Sequence, residues 1–326
     1  MATHDIVVLG ASAGGLDALQ RLCAALSPEL SSSLFIVLHI SASSRHIPEI
    51  LARASTLPVE APEDRAPFQP GRIYVAPPDR HMLLERNIVR VVRGPKENRH
   101  RPAIDPLFRS AAWSYGPRVV GVVLTGTLGD GAAGLWAIRS CGGKSIVQDP
   151  ADASYAGMPR TALAFVDVDH CVPLSEIAPL ILRLSQERAS DEKPRQVPTA
   201  VAADAGVAMN DKDIPDMDLL GQPSGYTCPT CQGALWQLQE GELVRYRCHV
   251  GHAFSTENLV AEQSDALEKA LYFALRLLKE KATALRELAQ HYFENMPAER
   301  QRYERQAREL DTASDTLRQA LERIEA

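Results

Sequence analysis

Ile6-Val7-Val8-Leu9-Gly10-Ala11-Ser12-Ala13-Gly14-Gly15 decides the fold. Four apolar residues, two of them valine and one isoleucine, form a strand with no polar face, and glycine ends it. A helical stretch over about 15–26 follows, so Ser12 falls on the turn between strand and helix. A strand that is apolar on both faces belongs in a parallel sheet covered by helices on either side. The chain repeats this design to about residue 185. Leu34–Leu38, Arg72–Ala76, Val119–Leu124 and Ser145–Val147 read as further strands. Helices are predicted at about 45–55, 105–115, 132–141 and 174–186. Asp105 reads as the N-cap of the second of these, with Pro106 at its first helical position. Met82–Leu84 and Ile88–Val92 flank Glu85-Arg86-Asn87 as a β-hairpin. The alternation predicts an α/β domain with a doubly wound, mainly parallel, Rossmann-like sheet.

The full length of 326 residues exceeds one ordinary domain. At 45% hydrophobic and 23% charged residues, the chain is neither disordered throughout nor fibrous. A net charge of −6 argues against nucleic acid as a partner. No apolar run approaches the roughly 18 residues of a membrane span, and the first residues show no basic-then-apolar secretion signal. A cytoplasmic protein with no membrane insertion is expected. Beyond the α/β domain (1–185), residues 186–224 carry eight acidic and four basic side chains, four prolines and no apolar period, the composition of a flexible linker. A compact module is expected at 225–256. A helical hairpin or coiled-coil tail at 257–326 follows, with Leu267, Leu271, Ala274, Leu278, Ala282, Leu285 and Tyr292 as one stripe and Asn295-Met296-Pro297 as the break.

Gly10-x-Ser12-x-Gly14 between strand and helix holds a serine on a tight turn with a helix N-terminus behind it, an arrangement that suits a nucleophile and its oxyanion. The same turn, with Ser12 in place of a glycine, is also compatible with cradling a phosphate in a nucleotide-binding enzyme. A serine hydroxyl needs a base, commonly a histidine oriented by a carboxylate. Chemistry in open α/β sheets gathers outside the carboxyl ends of the strands. His39 directly follows Leu34–Leu38, and Asp130 lies in the loop after Val119–Leu124. Three strand ends thus bring Ser12, His39 and Asp130 to one edge. His46, His81 and His100 compete as base, and Asp105, Asp149 and Asp152 as orienting group; His100 could instead touch substrate.

These stretches, together with Asn98-Arg99-His100-Arg101-Pro102, Leu124 through Gly134 and Gly157-Met158-Pro159-Arg160, resemble the catalytic domain of the chemotaxis protein-glutamate methylesterases, the CheB family. The resemblance implies a serine hydrolase that removes methyl esters from glutamates of chemoreceptors, with deamidation of receptor glutamines as a sister activity. It assigns Ser12 as nucleophile, His39 as base and Asp130 as orienting group, and it requires no catalytic cofactor. Methylated cytoplasmic helices of chemoreceptors are the implied partners. The chain starts at the first catalytic strand, where many members carry a receiver domain, so control by a separate response regulator or signalling protein is expected. Ala13, Leu38, Ile40 and Thr127 depart from the usual residues around the site and bear on substrate preference. A third reading is a non-catalytic signalling scaffold.

Cys228 and Cys231, then sixteen residues, then Cys248 and His252 supply three thiolates and one imidazole, a set that suits tetrahedral zinc. His249 is an alternative fourth ligand. Ala234–Gln239 and Leu243–Tyr246 read as the hairpin of a zinc-ribbon-like module whose metal is structural. Similar extensions occur on receiver-less members of the family. Trp236 and His249 are candidates for docking. Cys23, Cys141 and Cys171 read as core cysteines, and Trp113 and Trp136 as packing residues.

Overall fold

The computed structural model describes residues 3–39, 45–190, 217–293 and 295–325. Most of the stretch read as a linker, residues 191–216, lies outside them. The described residues form two units, one ending at Leu259 and one beginning at Val260.

In the first unit, strands β1 (Ile6–Ala11), β2 (Ser33–Leu38), β5 (Ile73–Val75), β8 (Val119–Val123), β9 (Lys144–Gln148), β10 (His170–Val172) and the short β3 (Val59–Glu60) form one sheet. Its order is β10-β9-β8-β1-β2-β5-β3, and its recorded pairings are parallel. Alternation sets two cores. Ile6, Val8, Phe35 and Val37 point to one face, which is covered by α3 (Ile104–Tyr115), α4 (Ala132–Ser140) and α5 (Gly157–Phe165). Val7, Leu9, Leu34 and Ile36 point to the other, covered by α1 (Gly15–Ala25), α2 (Ile47–Ala54) and α6 (Leu174–Gln186). The chain leaves β1 for β2 on one side and returns to β8 on the other, so the topological switch falls at the end of β1, where Ser12 stands. The hairpin pairs β6 (His81–Glu85) with β7 (Ile88–Val92), and β4 (Ala66–Pro67) extends it into a separate antiparallel sheet.

Helix α5 carries Pro159 as its third residue, tolerated there because the first-turn amides have no intrahelical partner. Three expectations are corrected. Cys171 is exposed, since it lies on β10, the edge strand. Trp113 is 47% exposed on the outer side of α3. Asp105 does not cap its own helix: Ala103 occupies that position, and the first amides of the helix donate to Asp130 instead.

The first unit also contains a four-stranded antiparallel ribbon of β11 (Gln222–Thr227), β12 (Ala234–Glu240), β13 (Leu243–Cys248) and β14 (Ala253–Ser255). Met217–Leu220 is a short helix before it. A helix and the start of a strand therefore occupy the last part of the stretch 186–224. Trp236 is buried beside Met217 and Leu238, with its indole N–H donating to Asp218 at 2.9 Å, so it offers no open docking face.

The second unit consists of most of the long helix Thr256–His291 and the helix Pro297–Glu325, with the break at the expected Asn295-Met296-Pro297. Ala282, Ala289, Ala307 and Leu321 are buried, and Phe293 stacks on Tyr303 at 5.0 Å. Leu267 and Tyr292 are exposed at 49% and 78%. The first helix runs 36 residues against 29 in the second, and Tyr292 lies just past the end of the first.

Candidate active site

Ser12 follows β1 directly. Its N–H donates to Thr125 O at 3.0 Å, which ties the turn to the loop after β8. Gly14 takes φ of 72° at the N-cap of α1, a left-handed conformation that favours glycine. Gly126 approaches so closely that a Cβ there would stand 2.8 Å from Ser12 Cβ. Thr125 Oγ1 donates to Ala13 O at 3.0 Å and accepts from Tyr155 N–H, while Gln148 Oε1 holds the Thr125 N–H.

His39, at the end of β2, bridges the other two groups. Its Nδ1 lies 3.1 Å from Ser12 Oγ and its Nε2 lies 2.8 Å from Asp130 Oδ2. With Nε2 protonated against the carboxylate, Nδ1 is left to accept the serine proton. The side chains of His39 and Asp130 are 5% and 2% exposed. Asp130 also accepts N–H bonds from Ile104 and Asp105 and from the Asn98 amide. Burial opposes its charge. The His39 bond, the His39 charge, the Ile104 N–H and the Asn98 amide outweigh burial and hold the carboxyl well below the usual range. Asp105 Oδ1 accepts from Gly131 and Gly134, and so serves the start of α4. Burial, then the charge of Asp130, raise its carboxyl, opposed by Arg109 and Arg245.

His46 stands at the N-cap of α2, and the other competing histidines and aspartates have other partners. His81 is buried, donates Nε2–H to Pro95 O and accepts from Ala103 N, and burial lowers its pKa. His100 stacks flat on His39 with ring centroids 3.6 Å apart. Burial, then the His39 charge, push its imidazole down to about 4. Asp152 accepts from Gln148 and from Leu174 N at the start of α6, and Asp149 from Ala151 N. The residues that sequence reasoning left without a role are Asn98, Thr125 and Gln148. Gln148 directly follows Ile146-Val147 at the carboxyl end of β9, the same kind of strand-end position that singled out His39.

A family model described as CheB methylesterase matches residues 7–181. The chain belongs to the CheB methylesterase family. A protein of Anaeromyxobacter dehalogenans named protein-glutamate methylesterase/protein-glutamine glutaminase 4 is 40% identical over 197 residues, 57% of this chain and 53% of its own length. A Leptospira interrogans protein is 37% identical over 185 residues, 56% of this chain and 96% of its own length. The crystal structure of the Thermotoga maritima CheB methylesterase catalytic domain matches with a TM-score of 0.53 at 28% identity, over 55% of this chain and 98% of that domain. This CheB-family chain spans about half the length of the Anaeromyxobacter relative.

In the ribbon, the ligand atoms of Cys228, Cys231, Cys248 and His252 lie within 4.8 Å of one another. His252 Nδ1 faces Cys228 Sγ at 3.8 Å and Cys248 Sγ at 3.5 Å. Three soft thiolates and one imidazole converging at this spacing fit a tetrahedral zinc ion. His249 turns away and packs against Trp236 at 4.2 Å between ring centroids.

Proposed function

We propose that this chain is a protein-glutamate methylesterase acting on methylated glutamates of chemoreceptor helices in the cytoplasm, with the matching glutamine deamidation as a second activity. The observation that carries the reading is His39 set between Ser12 Oγ and Asp130 Oδ2. His39 Nδ1 takes the Ser12 proton as Oγ attacks the ester carbonyl, and Asp130 stabilises the imidazolium through Nε2–H. Backbone N–H groups of the Ser12 turn or the Thr127 loop would hold the oxyanion, and one such donor is worth about 3 kcal/mol. The imidazolium then protonates the departing methoxide, which leaves as methanol. Water enters, His39 takes its proton, and the acyl-serine is hydrolysed to the glutamate carboxylate. For a glutamine side chain the same steps release ammonia.

A cavity of about 600 Å³ opens at the carboxyl rim of the same sheet, where Ala76–Arg80 follow β5 and Arg45–Pro48 open α2. Arg45, Arg80 and Arg93 line it against one carboxylate, Asp79. This balance suits a helix rich in glutamate. Among the described residues no helix is long and apolar enough to cross a membrane. Cys228, Cys231, Cys248 and His252 would hold zinc, which supplies folding free energy to the ribbon and leaves no open ligand position for catalysis.

Methanol release from a methylated chemoreceptor tests the reading. The wild-type chain releases methanol and Ser12→Ala, with an unchanged melting curve, releases none. Equal release by both removes Ser12 from the reaction.

A further inference from the structure

The metal-ligand cluster and the catalytic rim meet at one corner, Glu97 and Asn98. The contacts come from residues next to the ligands themselves: Arg247 precedes Cys248, and Ala253–Ser255 follow His252. Arg247 Nη2 donates to Glu97 Oε1 at 2.7 Å, and Arg109 of α3 holds Glu97 Oε2. Ala253 pairs with Glu97 in a parallel bridge, and its carbonyl accepts the Asn98 N–H at 2.8 Å. Ser255 N–H donates to Asn98 Oδ1 at 2.8 Å. With its oxygen held there, the Asn98 amide turns Nδ2 the other way, where it donates to Asp130 Oδ1 and Asp105 Oδ2, both at 2.8 Å.

This corner is buried: Glu97, Asn98, Arg109 and Arg247 are each exposed by 3% or less. Asn98 adopts φ of 47°, unfavourable for a residue with a Cβ, so its conformation depends on what grips it. The Ala253 carbonyl and the Ser255 N–H, which grip it, both belong to the ribbon. Released from Ser255, the amide is free to rotate its oxygen toward two carboxylates, and Asp130 loses a donor that orients it. The ribbon also supplies charge: Arg245, paired with Glu240, lowers Asp105 and offsets its neighbour Asp130.

We propose that the Cys/His ribbon is part of the catalytic apparatus. Through Arg247 and the 253–255 backbone it fixes Glu97 and Asn98, Asn98 as a positioning residue fixes Asp130, and zinc on Cys228, Cys231, Cys248 and His252 thereby raises the reactivity of Ser12. The proposal rests on the esterase reading for the identity of the reaction. The coupling itself is read at Ser12 without any receptor.

The test uses the full chain. A fluorophosphonate probe reports the rate of Ser12 labelling, methanol release gives kcat and KM, and proton NMR follows the downfield resonance of the His39–Asp130 bond. Removing zinc with a chelator is expected to slow labelling by about tenfold or more, the scale of outer-shell losses, and adding zinc back restores it. Arg247→Met leaves all four ligands in place. It is expected to keep stoichiometric zinc, lower kcat by a similar factor with KM held, and weaken the NMR resonance. Asn98→Asp still accepts from Ser255 but cannot donate to Asp130, and it adds a negative charge beside it. Asp130 is faced by His39 after β2, by Asp105 from α3 and by His81 and His100, while Arg109 and Arg245 act on Asp105 and His100 stacks on His39. The added charge favours protonated His39, so the acid limb of the pH–rate profile moves to higher pH, which lost packing alone would not do. Unchanged labelling in Arg247→Met, an unmoved acid limb in Asn98→Asp, or full-rate labelling of zinc-free chain overturns the proposal. A wild type that labels at Ser12 but releases no methanol sinks the esterase reading instead, and labelling still decides the coupling.

Discussion

Asp105 and Asp130 cap each other's helices. Asp130, in the loop before α4, accepts the Ile104 and Asp105 N–H groups at the start of α3 at 2.7 and 3.2 Å. Asp105, on α3, accepts the Gly131 and Gly134 N–H groups at the start of α4 at 3.1 and 2.7 Å. The carboxylate bonded to His39 is thus held by the positive end of one helix, while the helix beside it is held by the second carboxylate. Asp105→Ala is expected to leave two buried amides of α4 unpaired and to cost about 1–3 kcal/mol in denaturant unfolding. A loss under about 0.5 kcal/mol contradicts the exchange of caps.

Asp130 faces four N–H donors: His39 Nε2, Ile104 N, Asp105 N and Asn98 Nδ2. A carboxylate has acceptor sites for all of them, whereas an asparagine brings two donors of its own into the cluster. Asp130→Asn is therefore expected to lower kcat about 10³-fold or more, through loss of the imidazole orientation. It should also cost stability, about 2–4 kcal/mol, because buried donors lose acceptors. Steady-state kinetics and urea unfolding check the two effects separately.

The strand–turn–helix around Ser12 was legible because Ile6–Leu9 is apolar on both faces; strand ends made His39 and Asp130 candidates, and the family resemblance chose them over their competitors. What stayed hidden has non-local causes. Helix α5 was not among the helices read: Gly157 and Pro159 in its first turn weaken the local helical signal, although proline fits there. Asp105 read as a local cap because an acidic residue before proline is a common cap, and only packing of α3 against α4 shows which amides it reaches. Glu97 and Arg247 stand 150 residues apart, and no window along the chain contains both. A partial signal existed: Arg109 interrupts an apolar helix, and Arg245 and Arg247 share one face of a strand, places where a charge needs a buried partner.

Gly126 carries no left-handed backbone requirement; space alone explains it. A Cβ there would meet Met158 Sδ at 2.1 Å and Ser12 Cβ at 2.8 Å. The thioether is the flexible end of a side chain and can move, but Ser12 Cβ is fixed to the turn. Gly126→Ala is expected to push Ser12 off His39, with kcat down about tenfold to a hundredfold, because small misplacements of reacting groups are costly. The overpacking should cost about 1–3 kcal/mol. A variant with full kcat would show that Ser12 tolerates the displacement.

His100, stacked on His39, gives stability a defined pH dependence. Its folded pKa of about 4 lies below the 6.5 of the unfolded chain. A histidine depressed on folding binds its proton more readily when unfolded, so stability is full above about pH 6.5 and falls as pH drops toward 4. His81, lowered by burial, acts in the same direction. For His100 the loss is at most about 3 kcal/mol, at about 1.4 kcal/mol per pKa unit. His100→Gln keeps a planar polar side chain on His39 and removes the titration. Urea unfolding at pH 8 and pH 5 should then show a smaller drop in the variant than in the wild type; what remains belongs to His81 and His4, both lowered by burial, and is opposed by Asp105, whose raised carboxyl gains stability as pH falls. Identical drops in both proteins would mean that His100 keeps its ordinary proton affinity in the fold, and that the stack on His39 is open enough for water to hydrate the charged ring.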